Sequence, residues 1–273
     1  RRDVCRWAVR KWVICWQMRS DRLENNPGQT GGRRGVARSV TRPERKERIF
    51  RLLFAGMAVY YGWRLFALTP WYDELYTYYC FISKGPVYAA VHWPLPNNHV
   101  GYSVLSGFLD FLGNPWLGLR GVSYLAALAN LALLYKIAGR YLDGWLDLMA
   151  VILYASMGLV NQQAVQGRGY TLGITCFLLA WYAMSLICEQ ERVPRRIYVL
   201  YETALVLGLY TISSNVYWVV PLCLAGGSDL LLKGIREGAG QPGEAGRQES
   251  GQAQGGGFWQ RKSIKRLISL AAA

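Results

Sequence analysis

From residue 49 onward the chain is a series of apolar runs broken by short polar or aromatic stretches. The runs lie near 49–68, 119–138, 145–160, 170–187 and 198–212, and a last one near 216–232 carries an internal Pro221. Each is close to the ~20 residues a helix needs to cross the hydrocarbon core of a bilayer. Within that core every backbone N–H and C=O has to be paired inside its own segment, so the runs predict helices. The fold class expected is all-α, a polytopic transmembrane helical bundle of about 5–6 spans.

Two stretches leave this pattern. Residues 70–96 are rich in Trp and Tyr, which favour the membrane interface. Residues 98–113 are too short and too mixed for a span and read as a helix lying on the membrane surface. The first loop therefore carries surface helices. At the start, Pro27, Gly31-Gly32 and Pro43 break any long helix, and residues 1–47 read as a solvated basic segment that touches anionic lipid weakly. Residues 233–257 are rich in Gly, Gln and Glu and read as a flexible connector leading to a basic run at 261–266. The organisation expected is a basic cytoplasmic segment 1–47, a transmembrane region 48–232, a flexible cytoplasmic loop 233–266 and the start of a truncated span at 267–273. The chain begins with Arg, Met18 is a candidate true start, and the end falls where a new apolar run opens, so a fragment is expected.

Charge refines the picture. The formal net charge is +14, from 31 Lys and Arg against 17 Asp and Glu. In a soluble protein this would point to nucleic acid. Here the basic residues are segregated, 15 of them falling between Arg1 and Arg51, and no basic helix or aromatic-basic module accompanies them. Positive-inside flanks of a membrane protein explain the same charge, and no nucleic-acid partner is expected. With the N-terminus in the cytoplasm, the basic residues fall mainly on inner segments, and the outer segments are 69–118, 161–169 and the turn Ser213-Ser214-Asn215. The localisation expected is a plasma or inner cell membrane, crossed several times, with membrane lipids as neighbours. The six cysteines form no CxxC pair and no Cys/His ligand set, so neither a zinc module nor a disulfide framework is implied.

That topology gathers the polar motifs on the outer face. Asp73-Glu74 sits in WYDELYTYY, where the surrounding aromatics would partly desolvate a carboxylate and strengthen it as a base. An ordinary solvated acidic turn explains the pair equally simply. Arg168, between Gly167 and Gly169, can offer a planar fork to a phosphate, with the glycines allowing close backbone approach, or can snorkel to the headgroups. Arg120 in LRGVS has the same two readings, a structural anchor being the simpler. His92 and His99 are the only histidines, and with Glu74 or Asp73 they are candidate ligands for a divalent metal cation, although their spacing fits no compact metal motif. His99 can instead cap the surface helix through PNNH, and Asn97 and Asn98 can cap that helix or bind a sugar hydroxyl. The glycine-rich segments lack the order of a nucleotide phosphate loop, and no GxSxG elbow is present.

In order, these features resemble the GT-C fold glycosyltransferases, in particular the branch of protein mannosyltransferases and lipid A aminoarabinose transferases. The resemblance rests on a basic start, one span, WYDE in the first outer loop, PNNH before a surface helix, LRxxS opening the next span and RGY opening a later one, across residues 49–182. The stretch LGLYTISSNVYWVV is similar to the family's span-turn-span unit, with Ser213-Ser214-Asn215 at a turn that often holds a histidine. The resemblance implies a sugar donor carried on polyprenyl or dolichyl phosphate, a protein, lipid or glycan acceptor, and transfer to its hydroxyl on the outer face with inversion. It implies Asp73 as general base and Glu74 as its neighbour that orients the acceptor or helps hold a metal. It implies Arg168 on the phosphate, with Arg120, Asn98, His99 and Tyr170 as further substrate-binding positions. The alternative from another class is a flippase for lipid-linked sugars or another polytopic transporter, which would favour polar groups in mid-membrane. A non-catalytic membrane scaffold is the third reading.

Overall fold

The first helix, α1 (Arg42–Ala67), opens with Pro43 in its first turn, where a missing N–H costs nothing, and ends where Pro70 forbids continuation. The structure, a computed structural model, describes residues 42–92, 98–190, 192–238 and 262–271. The compact unit formed by these residues begins at Pro43. Most of the basic segment 1–47, the cysteines Cys5 and Cys15, Met18, the Pro96-Asn97 half of PNNH, and the connector 239–261 lie outside the described residues. The final residues of the basic segment are part of α1.

After α1 the chain bends by 80° into the first loop, which is helical throughout its described part. It holds α2 (Tyr72–Cys80), a 3-10 turn at Ile82–Lys84, α3 (Pro86–Val91) and α4 (Val100–Asp110). Gly113, at φ +75°, then turns the chain. The Asn114 side chain accepts the N–H groups of Trp116 and Leu117 at 3.0 and 3.4 Å, and Pro115 occupies the first helical position. That cap starts the longest helix, α5 (Pro115–Tyr141). There follow α6 (Leu146–Ser156), α7 (Gly158–Gln163), α8 (Tyr170–Glu189), α9 (Arg195–Thr211), a 3-10 turn at Ser213–Asn215, α10 (Val216–Gly238) and α11 (Lys262–Ala271). No strand occurs among the described residues, and the expected all-α membrane bundle is what the chain forms.

The number of spans differs from the expected five or six. Three helical stretches are long and apolar enough to cross a membrane, Pro115–Tyr141, Tyr170–Glu189 and Ser213–Ile235, and the bent α1–α2 pair makes up to four. The run at 145–160 is interrupted at Met157, whose backbone turns extended, so α6 has only 11 residues. The run at 198–212 lies in α9, whose 17 residues rise ~25 Å. The basic run at 261–266 and the residues expected to open a truncated span belong, where described, to α11.

Among the spans, α8 is central, with 72% of its apolar window buried, whereas α10 lies at the edge, with 22% buried and Tyr217, Leu224 and Leu232 facing outward. Lipid tails are as apolar as leucine, so close packing and hydrogen bonds hold such helices together. Asn130 donates to the Thr171 carbonyl at 3.1 Å and Thr175 to that of Ala126 at 3.3 Å, tying α5 to α8 with about 0.6 kcal/mol each. Lys46–Asp147 and Arg140–Glu189, each at 2.6 Å, tie α1 to α6 and α5 to α8 at one end of the bundle. The opposite end assembles the conspicuous polar motifs. It brings together the end of α1, the start of α2, the start of α4, the start of α5 and the loop 164–169.

Candidate functional site

Glu74 is the fixed point of that end. It lies at the third position of α2 and reaches back to accept the Trp71 N–H at 2.9 Å, satisfying one of the orphan donors of the helix start. Its side chain is completely buried and forms a two-pronged pair with Arg120 of α5, Nε to Oε1 at 2.8 Å and Nη2 to Oε2 at 3.0 Å. The Gly167 N–H donates to the same Oε1. The remaining Arg120 nitrogen, Nη1, donates to the Leu65 and Leu68 carbonyls at 3.0 and 2.7 Å, which belong to the frayed end of α1. One ion pair therefore joins α1, α2, α5 and the loop 164–169. Both charges are fully committed to protein partners, the condition under which a buried pair holds its geometry.

The LRGVS motif makes sense on the same helix face. Ser123, three residues beyond Arg120, donates to the Gln166 carbonyl and lies 3.3 Å from the Arg168 carbonyl, so the two polar residues of the motif hold two parts of one site. The glycines of QGRGY serve close approach to protein. A side chain at Gly167 would meet Leu119 at 2.6 Å, and one at Gly169 would meet Thr211 at 2.6 Å and His99 at 3.1 Å.

Asp73 has the opposite environment from its neighbour. It is exposed, its carboxylate makes no hydrogen bond or ion pair among the described residues, and only its backbone carbonyl is engaged, by Thr77 Oγ1 at 2.8 Å. The desolvation expected for the pair thus falls on Glu74 alone. Arg168 is 5% exposed, and its Nη1 lies 3.4 Å from Thr77 Oγ1, so a chain of contacts runs from the arginine through Thr77 to the backbone of Asp73.

His99 stands at the N-cap position of α4 without capping it. Its Nδ1 accepts the Gly169 N–H at 2.8 Å, which leaves the proton of the neutral ring on Nε2. Burial, helped by the nearby Arg168 charge, lowers its pKa to about 4, so the ring is neutral at physiological pH. Tyr170 stands edge-on to it at 5.0 Å and is itself exposed. Asn98 is buried, donating to the Ala89 carbonyl at 3.3 Å and accepting from Ser103 at 2.7 Å, so it joins α3 to α4 and is not presented to a ligand.

The three candidate metal ligands are not gathered. His92 is exposed and lies against Tyr88 at 4.5 Å, His99 is committed to Gly169, and Glu74 to Arg120. Among the described residues no group of three or more His, Cys, Asp or Glu is placed to hold a metal ion. The donor set does not fit a divalent cation.

Beside the Glu74–Arg120 pair opens a cleft of about 530 Å³, lined among others by Arg64, Thr69, Trp71, Gly158, Gln162 and Gln166. Arg64 and the two glutamines were invisible as site residues in the sequence. Arg64 reads there as an arginine snorkelling from the end of a span, and only the bend after Ala67 folds Trp71 back beside it.

Residues 99–233 match the family model described as dolichyl-phosphate-mannose-protein mannosyltransferase. The matched stretch runs from His99 into α10 and contains Arg120, Arg168 and Tyr170, and it begins after the Asp73-Glu74 pair. No curated protein and no solved structure matches the chain.

Proposed function

Because the chain belongs through residues 99–233 to the dolichyl-phosphate-mannose-protein mannosyltransferase family, a GT-C-type family, we propose that it transfers a sugar from a polyprenyl or dolichyl phosphate to an acceptor hydroxyl, with Asp73 as general base. As a member of that family with apolar spanning helices, it is an integral-membrane protein of glycosyltransferase type. The observation that carries the finer reading is the division of labour in the acidic pair. Glu74 is buried and saturated, and Asp73, one residue earlier, is exposed with both carboxylate oxygens uncommitted.

The chemistry proposed is a single displacement. The acceptor oxygen attacks the anomeric carbon as its proton passes to Asp73, and the bond from that carbon to the phosphate oxygen breaks with its electron pair leaving on the lipid phosphate. One displacement inverts the anomeric centre. A phosphate leaves without being protonated, so the site needs a base and positive charge and no second carboxylic acid. Glu74 and Arg120 act by holding the first turn of α2. Arg168 supports the same turn through Thr77 and places a positive charge beneath it. A neutral His99 with its proton on Nε2 is a hydrogen-bond donor at the edge of the site. The acceptor is a protein, lipid or glycan hydroxyl, and the reacting face is the outer one, in keeping with the concentration of basic residues away from the site end.

The test is Asp73→Asn in the full chain, assayed with a radiolabelled polyprenyl-phosphate sugar in membranes. Transfer should fall by at least ~10², while the protein inserts and extracts as the parent does. Undiminished transfer would remove Asp73 from the role.

A further inference from the structure

The cleft beside the buried ion pair contains a cation that the fold does not use up. Arg64 stands in the last turn of α1, half-buried, and lines the cleft with Trp71 of the bend and with Gln162 and Gln166 of the opposite wall. Its Nη1 donates to the Asn161 carbonyl at 2.7 Å and contacts the Tyr60 hydroxyl at 3.4 Å. Its Nε and Nη2 have no acceptor among the described residues, and no carboxylate pairs with it there. The contrast with Arg120 is sharp, since that side chain spends all three nitrogens on protein partners. A guanidinium anchored by one nitrogen and open at the others is prepared for an anion, and a phosphate matches its fork.

The rest of the cleft says what carries the phosphate. The glutamines and Thr69 supply neutral hydrogen-bonding groups, and Trp71 supplies a flat apolar surface of the kind that packs on a sugar or prenyl unit. Adjacent in sequence to the lining residues, and exposed, are Trp63 and Phe66 on α1 and Met157 and Leu159 on the other wall. In a membrane protein such residues meet lipid chains. The volume of about 530 Å³ lies within the roughly 300–1,000 Å³ of small-molecule sites. We propose that this cleft binds the phosphorylated head of a lipid, with Arg64 as the phosphate ligand and the lipid chain running out over the apolar rim. Identifying that lipid with the sugar donor rests on the function proposed above; the phosphate site itself needs only the geometry of the cleft.

The experiment uses the full chain in a neutral detergent and titrates geranyl phosphate calorimetrically, with geraniol as the phosphate-free control. Geranyl phosphate should bind and geraniol should bind at least tenfold more weakly. Arg64→Gln should weaken geranyl phosphate at least tenfold and leave geraniol unchanged, and Arg64→Lys should retain part of the affinity. Gly158→Leu gives a second, independent variant, because a side chain at that position meets nothing within 4 Å and would extend into open space beside the cleft. It too should weaken geranyl phosphate while the melting temperature stays that of the parent. Competition by short-chain phosphatidylglycerol at equal concentration would identify bulk anionic lipid as the occupant, and resistance to it would identify a prenyl phosphate. If both Arg64→Gln and Gly158→Leu bind geranyl phosphate as the parent does, or if the parent does not bind it, the cleft assignment is wrong. Neither result touches the proposed transfer reaction, which stands or falls with Asp73→Asn.

Discussion

At the scale of single residues, the site depends on a charge pair that water does not reach. The Arg120 and Glu74 side chains are 2% and 1% exposed, while in each other ion pair among the described residues at least one partner is well exposed to solvent. Removing one partner from such a pair leaves a charge buried without compensation, which costs about 3–5 kcal/mol, whereas replacing both by apolar groups of similar size is far milder. Arg120→Leu and Glu74→Leu should therefore each lower the melting temperature of the detergent-solubilised protein strongly, and the double substitution should be more stable than either single one. Additive losses would show that the two side chains stabilise the fold independently. Much of this was unreadable in the sequence. Asp73 and Glu74 are adjacent carboxylates with the same aromatic neighbours, and nothing in composition says which one the helix turns inward. Arg120 as a structural anchor was among the sequence readings, and its position in LRGVS, with Ser123 one turn away, contained the reason.

At the scale of elements, the sequence located the helical runs well and their lengths less well. Hydropathy reports how apolar a stretch is, and α6 is apolar to its end, yet Met157 adopts an extended conformation and the helix stops. The start of α1 was missed for the converse reason, since its first turns are basic and carry no hydropathy signal while remaining good helix. Starts marked by specific side chains are more dependable. Asn114 and Pro115 mark the beginning of α5, the helix that delivers Arg120 and Ser123 to the site. Asn114→Ala should destabilise the protein by ~1 kcal/mol, measured as the shift in thermal midpoint in detergent. A substitution with no effect would mean that packing alone sets the start of α5.

At the scale of the whole molecule, the arrangement foreseen from charge alone is the one the helices adopt. Motifs separated by nearly a hundred residues, WYDE and QGRGY, meet at one end, while Lys46, Arg140 and their acidic partners lie at the other. The reason is that successive helices reverse direction, so loops alternate between the two ends and each end collects its own kind of residue. The side of the membrane follows as a prediction. In a Cys-free background, a cysteine at exposed Ser83 should react with an impermeant maleimide on intact cells, and one at exposed Asp143, in the turn between α5 and α6, should react only after permeabilisation. The reverse pattern would place the acidic loop inside and require a donor available in the cytoplasm.

The first turn of α2 has one more consequence. Consecutive residues of a helix point about 100° apart, so two neighbouring acids can belong to different worlds, one to the interior and one to the surface. Their order is then as meaningful as their identity. Exchanging them would preserve composition, net charge and the count of carboxylates, and would leave at position 74 a side chain one methylene, ~1.5 Å, too short to reach Arg120 as Glu74 does. The dipeptide is an oriented object, closer to a key with a handle and a bit than to a pair of equals.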